Sequence, residues 1–188
     1  MRDLIKFSHL LRLKEITRMT RVSDRRESPA EHTWAALVLA DFLLDRVKGP
    51  IDRHRVFELL LYHDVVEIEA GDTFELGGQS VEQQTAKERS ALELLRGKLP
   101  GRTWETCVSA YGEYEKYETV ESKFAQAVDK LEPMLNQLGY RGEWRKYGYS
   151  VKVLEEKKRP FMEPFPELLE LYDEFVEHLR ENDYVDEG

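Results

Sequence analysis

Helix start signals constrain the fold of this chain more than any other feature of the sequence. Ser28 precedes Pro29 and lies three residues before Glu31, which gives a capping box with proline at the first helical position. Ser80 and Gln83 form a second capping box. Apolar residues recur at helical spacing around these signals, and no stretch shows the alternation typical of a strand. The sequence therefore predicts an all-α fold.

Glycine, proline and capping residues mark where the predicted helices begin and end. We expect helices over about 3–15, 29–47, 53–70, 81–95, 103–117, 120–138, 150–159 and 166–182. Pro133 should kink or divide its helix, because proline lacks the N–H that a helix interior needs. No stretch reads as a linker between two domains. Residues 1–188 are therefore expected to form a single-domain helical bundle, which the helices over 150–182 complete.

Four other segments have a predicted environment. The first helix should bury an apolar stripe that includes Leu4, Phe7, Leu10 and Leu11. Trp34 is expected in the core. Residues 17–28 read as a polar, basic connection, and residues 71–78 read as a loop rich in glycine.

Charge and cysteine content exclude some classes of protein. The net charge of −9 argues against a nucleic-acid or membrane partner, because both are polyanionic surfaces. It leaves room for a small anionic ligand at a metal-bearing site. Cys107 is the single cysteine, so no internal disulfide can form, and this suits a reducing compartment. No apolar run reaches the roughly 18 residues of a membrane span, and no secretory pattern is seen. A cytoplasmic protein is expected.

Five ionisable residues follow an apolar run at positions 59–62. They are His63, Asp64, Glu67, Glu69 and Asp72. On a helix, His63 and Asp64 lie four and three residues before Glu67 and share its face. Glu69 points the opposite way, toward solvent or an ion pair. An imidazole nitrogen and a carboxylate oxygen can begin a divalent metal site, but two ligands are too few.

Two further residues are candidates for the missing ligands. His32 lies in the first turns of the helix that the capping box starts. Asp129 follows the apolar pair Ala127 and Val128, and an acidic residue on such a surface needs a partner such as a metal ion. The ordered set of His32, the His63-Asp64 pair and Asp129 on separate helices is much more specific than a lone His-Asp dipeptide.

Three motifs carry a resemblance to a known family. The stretches AEHTW, YHDVVEIEAGD and AVDKLE, within about residues 10–135, resemble the HD-domain metal-dependent phosphohydrolases and look most like 5′-deoxynucleotidases. The resemblance implies that one divalent ion is bound by His32, His63, Asp64 and Asp129. The ion could be Mn²⁺, Co²⁺, Zn²⁺, Fe²⁺, Ni²⁺ or Mg²⁺, because the sequence does not determine it.

The same resemblance implies roles for other residues. Glu67 and Asp72 take catalytic roles, and Arg18, Asp72 and Thr73 contact the substrate. A small-molecule nucleotide substrate and a homodimer are also implied. The chain departs from the family after Arg18: relatives usually carry a tryptophan that helps hold the nucleoside, whereas this chain continues Met19-Thr20.

These expectations lead to one functional prediction and two alternatives. The prediction is a metal-dependent phosphomonoesterase that hydrolyses (deoxy)nucleoside 5′-monophosphates to nucleoside and phosphate. Because Arg21 adds a cation to the altered segment, a nucleoside triphosphate or nucleotide-analogue phosphohydrolase is the first alternative. The second is a non-catalytic, nucleotide-sensing dimer. Glu67 counts against it, since a sensor needs no proton shuttle.

Overall fold

The computed structural model describes residues 1–73, 77–78 and 80–188, with Val81 described by its backbone alone. The α-helices are α1 Arg2–Phe7, α2 Pro29–Leu44, α3 Arg53–Tyr62, α4 Glu67–Ala70, α5 Val81–Leu95, α6 Gly101–Lys116, α7 Val120–Asn136, α8 Arg141–Lys146, α9 Val151–Lys157, α10 Arg159–Met162 and α11 Pro166–Glu181. Two 3₁₀ helices cover Ser8–Lys14 and Gln137–Gly139. The predicted all-α fold is confirmed. The predicted loop over 71–78 lies partly outside the described residues.

Both predicted capping boxes are confirmed. The Ser28 side chain accepts from the Glu31 N–H, and the Glu31 carboxylate accepts from the Ser28 N–H in return. Ser80 and Gln83 make the same exchange at the start of α5. These contacts satisfy N–H groups that a helix start otherwise leaves without partners.

A short hairpin corrects the interpretation of 17–28 as a plain connection. Strand β1 (Arg21–Val22) pairs antiparallel with β2 (Arg25–Arg26). Two-residue strands are too short to show alternation in a sequence. The pairing continues toward the core, because the Arg18 N–H donates to the Glu27 carbonyl at 2.8 Å. The hairpin therefore places Arg18 and Glu27 side by side, immediately before the Ser28 cap of α2.

The first predicted helix is wrong in its length and in its buried stripe. α1 ends at Phe7 and continues as a 3₁₀ helix. Leu4 is 73% exposed, and Phe7 and Leu11 are exposed as well. Leu10 and the buried Leu13 are the positions that pack against a neighbouring apolar cluster. A helix at the edge of a structure buries only the side chains that its neighbours reach.

The motif helix predicted over 53–70 is also interrupted. α3 ends at Tyr62 and α4 begins at Glu67, and the residues between them form tight turns. The N–H groups of Glu67 and Ile68 donate to carbonyls three residues back, as in a 3₁₀ helix. α4 stops at Gly71, whose φ of 74° suits glycine.

α7 lies at the centre of the fold. It packs against α2, α3, α6 and α10, and its buried apolar side chains include Phe124, Val128 and Leu131. Pro133 does not divide α7, which continues to Asn136. Because α7 touches α2 and α3 at once, it can bring together side chains from distant parts of the sequence.

Trp34 corrects the expectation of a core residue. The buried face of α2 carries His32, Ala36 and Ala40. Trp34 is 69% exposed on another face of the helix. Two positions correspond to about 200° of helix rotation, so a residue two past His32 points away from the packed face. Among the described residues, no helix is long and apolar enough to cross a membrane.

Candidate metal centre and catalytic cavity

His32 joins α2 to α7. Its side chain is fully buried in the first turn of α2, where the capping box holds the backbone. Nε2 lies 2.9 Å from Asp129 Oδ1, and Nδ1 lies 2.5 Å from Glu132 Oε2. Burial and Arg18 oppose protonation of the ring, but the two carboxylates outweigh them and raise the pKa of His32 to about 9. The imidazole therefore spans two carboxylates of α7.

His63 presents one buried nitrogen to the same region. Its Nδ1 lies 2.7 Å from the carbonyl oxygen of Leu60 and donates to it, because a carbonyl oxygen can only accept. Nε2 lies 3.2 Å from Asp64 Oδ1 and 3.5 Å from Asp129 Oδ1. This nitrogen makes no hydrogen bond within the described part of the chain. A buried ring nitrogen among carboxylate oxygens is in an environment that a bound cation would satisfy.

The donor set fits a divalent metal ion. Ligand atoms of His32, His63 and Asp129 lie within 4.8 Å of one another, and all three residues are buried. Asp64 adds a carboxylate beside His63. Imidazole nitrogens with carboxylate oxygens suit Zn²⁺, Co²⁺, Mn²⁺ and Fe²⁺. The structure thus brings together the four residues that the motifs predicted as ligands.

Asp129 is held by donors on its other oxygen. Oδ2 accepts from the Tyr114 hydroxyl at 2.8 Å and from Lys130 Nζ at 2.9 Å. Burial opposes ionisation, but Lys130 and the histidines hold the pKa of Asp129 well below its usual range. The carboxyl group therefore favours its ionised form, and its Oδ1 faces the two histidines.

Two buried carboxylates were missed by the sequence reasoning. Glu132 orients His32 through Nδ1, and Glu27 accepts from Asn136 Nδ2 at 2.9 Å and from the Thr20 hydroxyl. Such outer carboxylates fix the ring orientation of a ligand histidine. A signal for Glu132 existed, since it lies three residues after Asp129 on the same helix face. No local pattern marks Glu27.

Arg18 lies inside the carboxylate cluster. Its Nη1 donates to Asp64 Oδ2 at 2.9 Å and is 3.8 Å from Asp72 Oδ1, and its Nε is 3.6 Å from Glu27 Oε2. Burial opposes its charge, but Asp64 and Glu67 outweigh that effect and raise the pKa of Arg18. Arg18, which was predicted to contact the substrate, therefore lies beside the candidate metal ligands.

Glu67 begins α4, Asp72 lies two residues after its end, and the two carboxyl groups form a pair. Burial, followed by the charge of Asp64, raises the pKa of Glu67 well above its usual range. Burial also raises the pKa of Asp72, although Arg18 opposes the shift. Oε2 of Glu67 is buried and makes no hydrogen bond within the described residues. The Thr73 hydroxyl, by contrast, lies 3.4 Å from Lys87 Nζ at the edge of this group.

Glu69 lies away from this pair, as helical spacing predicted. Its carboxylate is 2.8 Å from Lys98 Nζ and 2.7 Å from His9 Nε2. The predicted ion pair is confirmed. Glu69 therefore provides a control position on the same short helix as Glu67.

A cavity of about 220 Å³ opens onto these groups. His63, Asp64 and Asp129 line one part of it. The sequence suggested nothing specific for the C-terminal third, yet that region supplies another part of the lining. The lining residues from this region include Glu143, Trp144, Tyr147, Tyr149 and Lys158. The cavity is therefore shared between the motif helices and the end of the chain.

Comparisons with known proteins agree with this geometry. Residues 10–169 match the HD domain family. The protein named 5′-deoxynucleotidase HDDC2 of Xenopus laevis is 29% identical over 143 residues, covering 74% of this chain and 70% of the relative. The human protein of that name is 27% identical, with 74% and 69% covered.

A solved structure shares the whole architecture. It is described as a predicted metal-dependent phosphohydrolase from Magnetospirillum magnetotacticum MS-1, and it superposes with a TM-score of 0.85 at 30% identity. The match covers 97% of this chain and 93% of that one. A protein from Pyrococcus furiosus, at 19% identity and a TM-score of 0.60, shares the fold. The chain belongs to the HD-domain family of metal-dependent phosphohydrolases.

Proposed function

We propose that this protein hydrolyses (deoxy)nucleoside 5′-monophosphates to nucleoside and phosphate. The observation that carries the proposal is the convergence of buried imidazole and carboxylate ligands at a cavity that also contains Glu67. His32, His63, Asp64 and Asp129 would hold the ion. The relatives named 5′-deoxynucleotidase support the choice of substrate class. When bound, a divalent ion supplies positive charge for phosphoryl oxygens and makes water more acidic.

Other polar residues of the cavity would bind the phosphate group or transfer protons. Arg18 offers its Nε–H, which makes no hydrogen bond within the described residues, to a phosphate oxygen. Hydrolysis forms a bond from water oxygen to phosphorus and breaks the bond to the sugar oxygen, so one proton must leave the water and another must reach the sugar. Glu67 and Asp72 would carry these protons, and burial raises the pKa of Glu67, so that its carboxyl group binds a proton more readily than an exposed one.

The two alternatives have weaker support. Arg21, which favoured a triphosphate substrate, lies 4.0 Å from Glu143 and is already engaged there. A sensing dimer without turnover does not explain why Oε2 of Glu67 is buried without a hydrogen bond among the described residues. Hydrolysis of monophosphates accounts for more of the polar groups in the cavity.

Phosphate release tests the proposal. The purified protein, stripped with a chelator and supplied with Mn²⁺, Co²⁺, Zn²⁺ or Mg²⁺, is offered deoxy- and ribonucleoside mono- and triphosphates. We expect deoxynucleoside monophosphates to release phosphate only when metal is present. Faster release from triphosphates would favour the first alternative. Tight binding without release from any nucleotide would favour the sensor.

A second copy of the chain is the protein partner that we propose. Trp34, Val38 and Phe42 form an exposed apolar row on α2, and they line a shallow groove with Leu135. Two copies of such a row can pack about a two-fold axis. Light scattering should show a dimer that Trp34→Glu converts to a monomer. A monomeric wild-type protein would remove the dimer and leave the proposed chemistry intact. The cytoplasmic location stays a prediction.

A further inference from the structure

Buried polar atoms without hydrogen bonds are concentrated at the cavity. Within the described part of the chain, seven buried side-chain nitrogen or oxygen atoms have no hydrogen-bond partner, and five belong to cavity-lining residues. These five are Arg18 Nε, His63 Nε2, Glu67 Oε2, Gln137 Nε2 and Glu143 Oε2. Native proteins rarely leave such atoms unpaired, so each one needs an explanation.

The proposed reaction explains three of the five atoms. His63 Nε2 would bind the metal ion, Arg18 Nε would donate to the phosphate, and Glu67 Oε2 would take part in proton transfer. The amide nitrogen of Gln137 and the Oε2 oxygen of Glu143 stay unexplained. Both residues lie after Pro133, outside the three motifs.

Gln137 and Glu143 belong to one packed junction. Gln137 follows α7, and Glu143 lies in α8. Trp144, next to Glu143, is buried and donates from Nε1 to the Gln137 carbonyl oxygen at 3.0 Å. The indole hydrogen bond therefore connects α8 to the residue that follows α7. The two side chains are presented to the cavity by the same rigid corner.

Glu143 is a fixed acceptor. Desolvation opposes its charge, but hydrogen bonds from Tyr147 and Lys146 lower the pKa of Glu143. Its Oε1 accepts from Lys146 Nζ at 3.1 Å, whereas Oε2 has an Arg26 Nη1 at 3.7 Å, beyond hydrogen-bonding distance. An ionised carboxylate accepts hydrogen bonds and donates none. The ligand group here must therefore bring an N–H or O–H donor.

The Gln137 amide nitrogen is a donor, so the same ligand must also bring an acceptor. Nucleobases carry this combination on one edge: each of the four natural bases has an N–H donor beside an oxygen or nitrogen acceptor. We propose that Gln137 and Glu143 bind the hydrogen-bonding edge of the substrate base. This inference rests on the proposed function, since it assigns the base of the same nucleotide. The pair requires a base that carries a donor beside an acceptor on that edge.

Three substrates test the inference in the wild-type protein. They are thymidine 5′-monophosphate, its N3-methyl derivative, which lacks the ring N–H, and 1,2-dideoxyribose 5-phosphate, which has no base. We expect kcat/KM to be about tenfold or more higher for the first than for the other two, because losing a hydrogen-bonding group leaves its buried partner unpaired. Equal kcat/KM values for the three compounds would overturn the inference about the base and leave the proposed function intact. Absence of phosphate release from every nucleotide would overturn the proposed function instead.

Two apolar variants of similar size locate the effect. For Gln137→Met and Glu143→Met, we expect KM for thymidine 5′-monophosphate to rise about tenfold with kcat within about twofold. Turnover of 1,2-dideoxyribose 5-phosphate should match the wild type. Glu105→Met, at an exposed position of α6, is the control. An equal loss with the base-free compound would assign the pair a structural role. If a variant does not fold, the wild-type comparison still decides.

Discussion

The two parts of the cavity differ in how their polar groups are satisfied. At the metal centre, His32 and Asp129 are held by short contacts from several elements, and carboxylates outnumber the cations. At the corner between α7 and α8, Gln137 and Glu143 each present one buried atom without a hydrogen bond. The first region is organised around a positive charge. The second is organised around a neutral group that both donates and accepts.

The difference also appears in what holds each region. Asp129 and Glu132 come from α7, against which both α2 and α3 pack. The corner is held chiefly by the Trp144 indole and by polar contacts around Tyr147. Changes at the metal centre should therefore act on metal binding and turnover, and changes at the corner should act on KM.

Loss of a metal ligand should have the largest effect. Substituting a residue that only contacts a metal ligand typically lowers metal affinity by up to roughly a hundredfold. In His63→Ala we expect a larger fall in metal affinity, and activity should be lost with it. Asp64 and Asp129 would also face each other without the imidazole, which lowers stability. Metal content after dialysis and a melting curve measure both effects. An unchanged metal content would contradict the assignment of His63.

Glu67→Gln should have the next largest effect. The amide keeps the shape but cannot take up a proton, so kcat should fall roughly 10²–10⁴-fold while metal binding stays. Glu69→Gln is the matched control on α4, because Glu69 pairs with Lys98 and His9 outside the cavity. Steady-state kinetics with metal titration compare the two. Equal activity of the two variants would rule out Glu67 as the proton shuttle.

Glu132→Gln should weaken the metal centre without removing a ligand. Glu132 lies 2.5 Å from His32 Nδ1 and orients the ring. We expect metal affinity to fall about 10–100-fold, with kcat recovering at saturating metal. Calorimetric titration of the stripped protein gives the affinity. A kcat that stays low at saturating metal would mean that Glu132 acts in the reaction itself.

Tyr147→Phe should have the smallest effect and should touch only the corner. The Tyr147 hydroxyl accepts from Arg26 Nη2 at 2.6 Å, and Tyr147 also supports the charge of Glu143. Removing one such contact should raise KM for a nucleotide about two- to fivefold and leave kcat and metal affinity unchanged. Kinetics with and without a base on the substrate measure the change. A loss of metal affinity would show that the two regions are coupled.

Local features of the sequence were sufficient for much of the fold. Both capping boxes depend on residues three apart, and the structure has both. The break after Tyr62 and the hairpin at Arg21–Val22 were missed because short elements carry too few residues for a period. The exposure of Trp34 was missed for another reason. Which face of α2 is buried depends on the helices that pack against it.

By itself, the sequence determined the helical class and predicted the four candidate metal ligands, because the motif residues can be read directly from their positions along the chain. Tertiary structure alone decided that Glu132 and Glu27 surround His32, and that Gln137 and Glu143 share a corner of the cavity. The physical reason is distance along the chain. His32 and Asp129 are 97 residues apart, and only the packing of α2 and α3 on α7 specifies which side chains then meet.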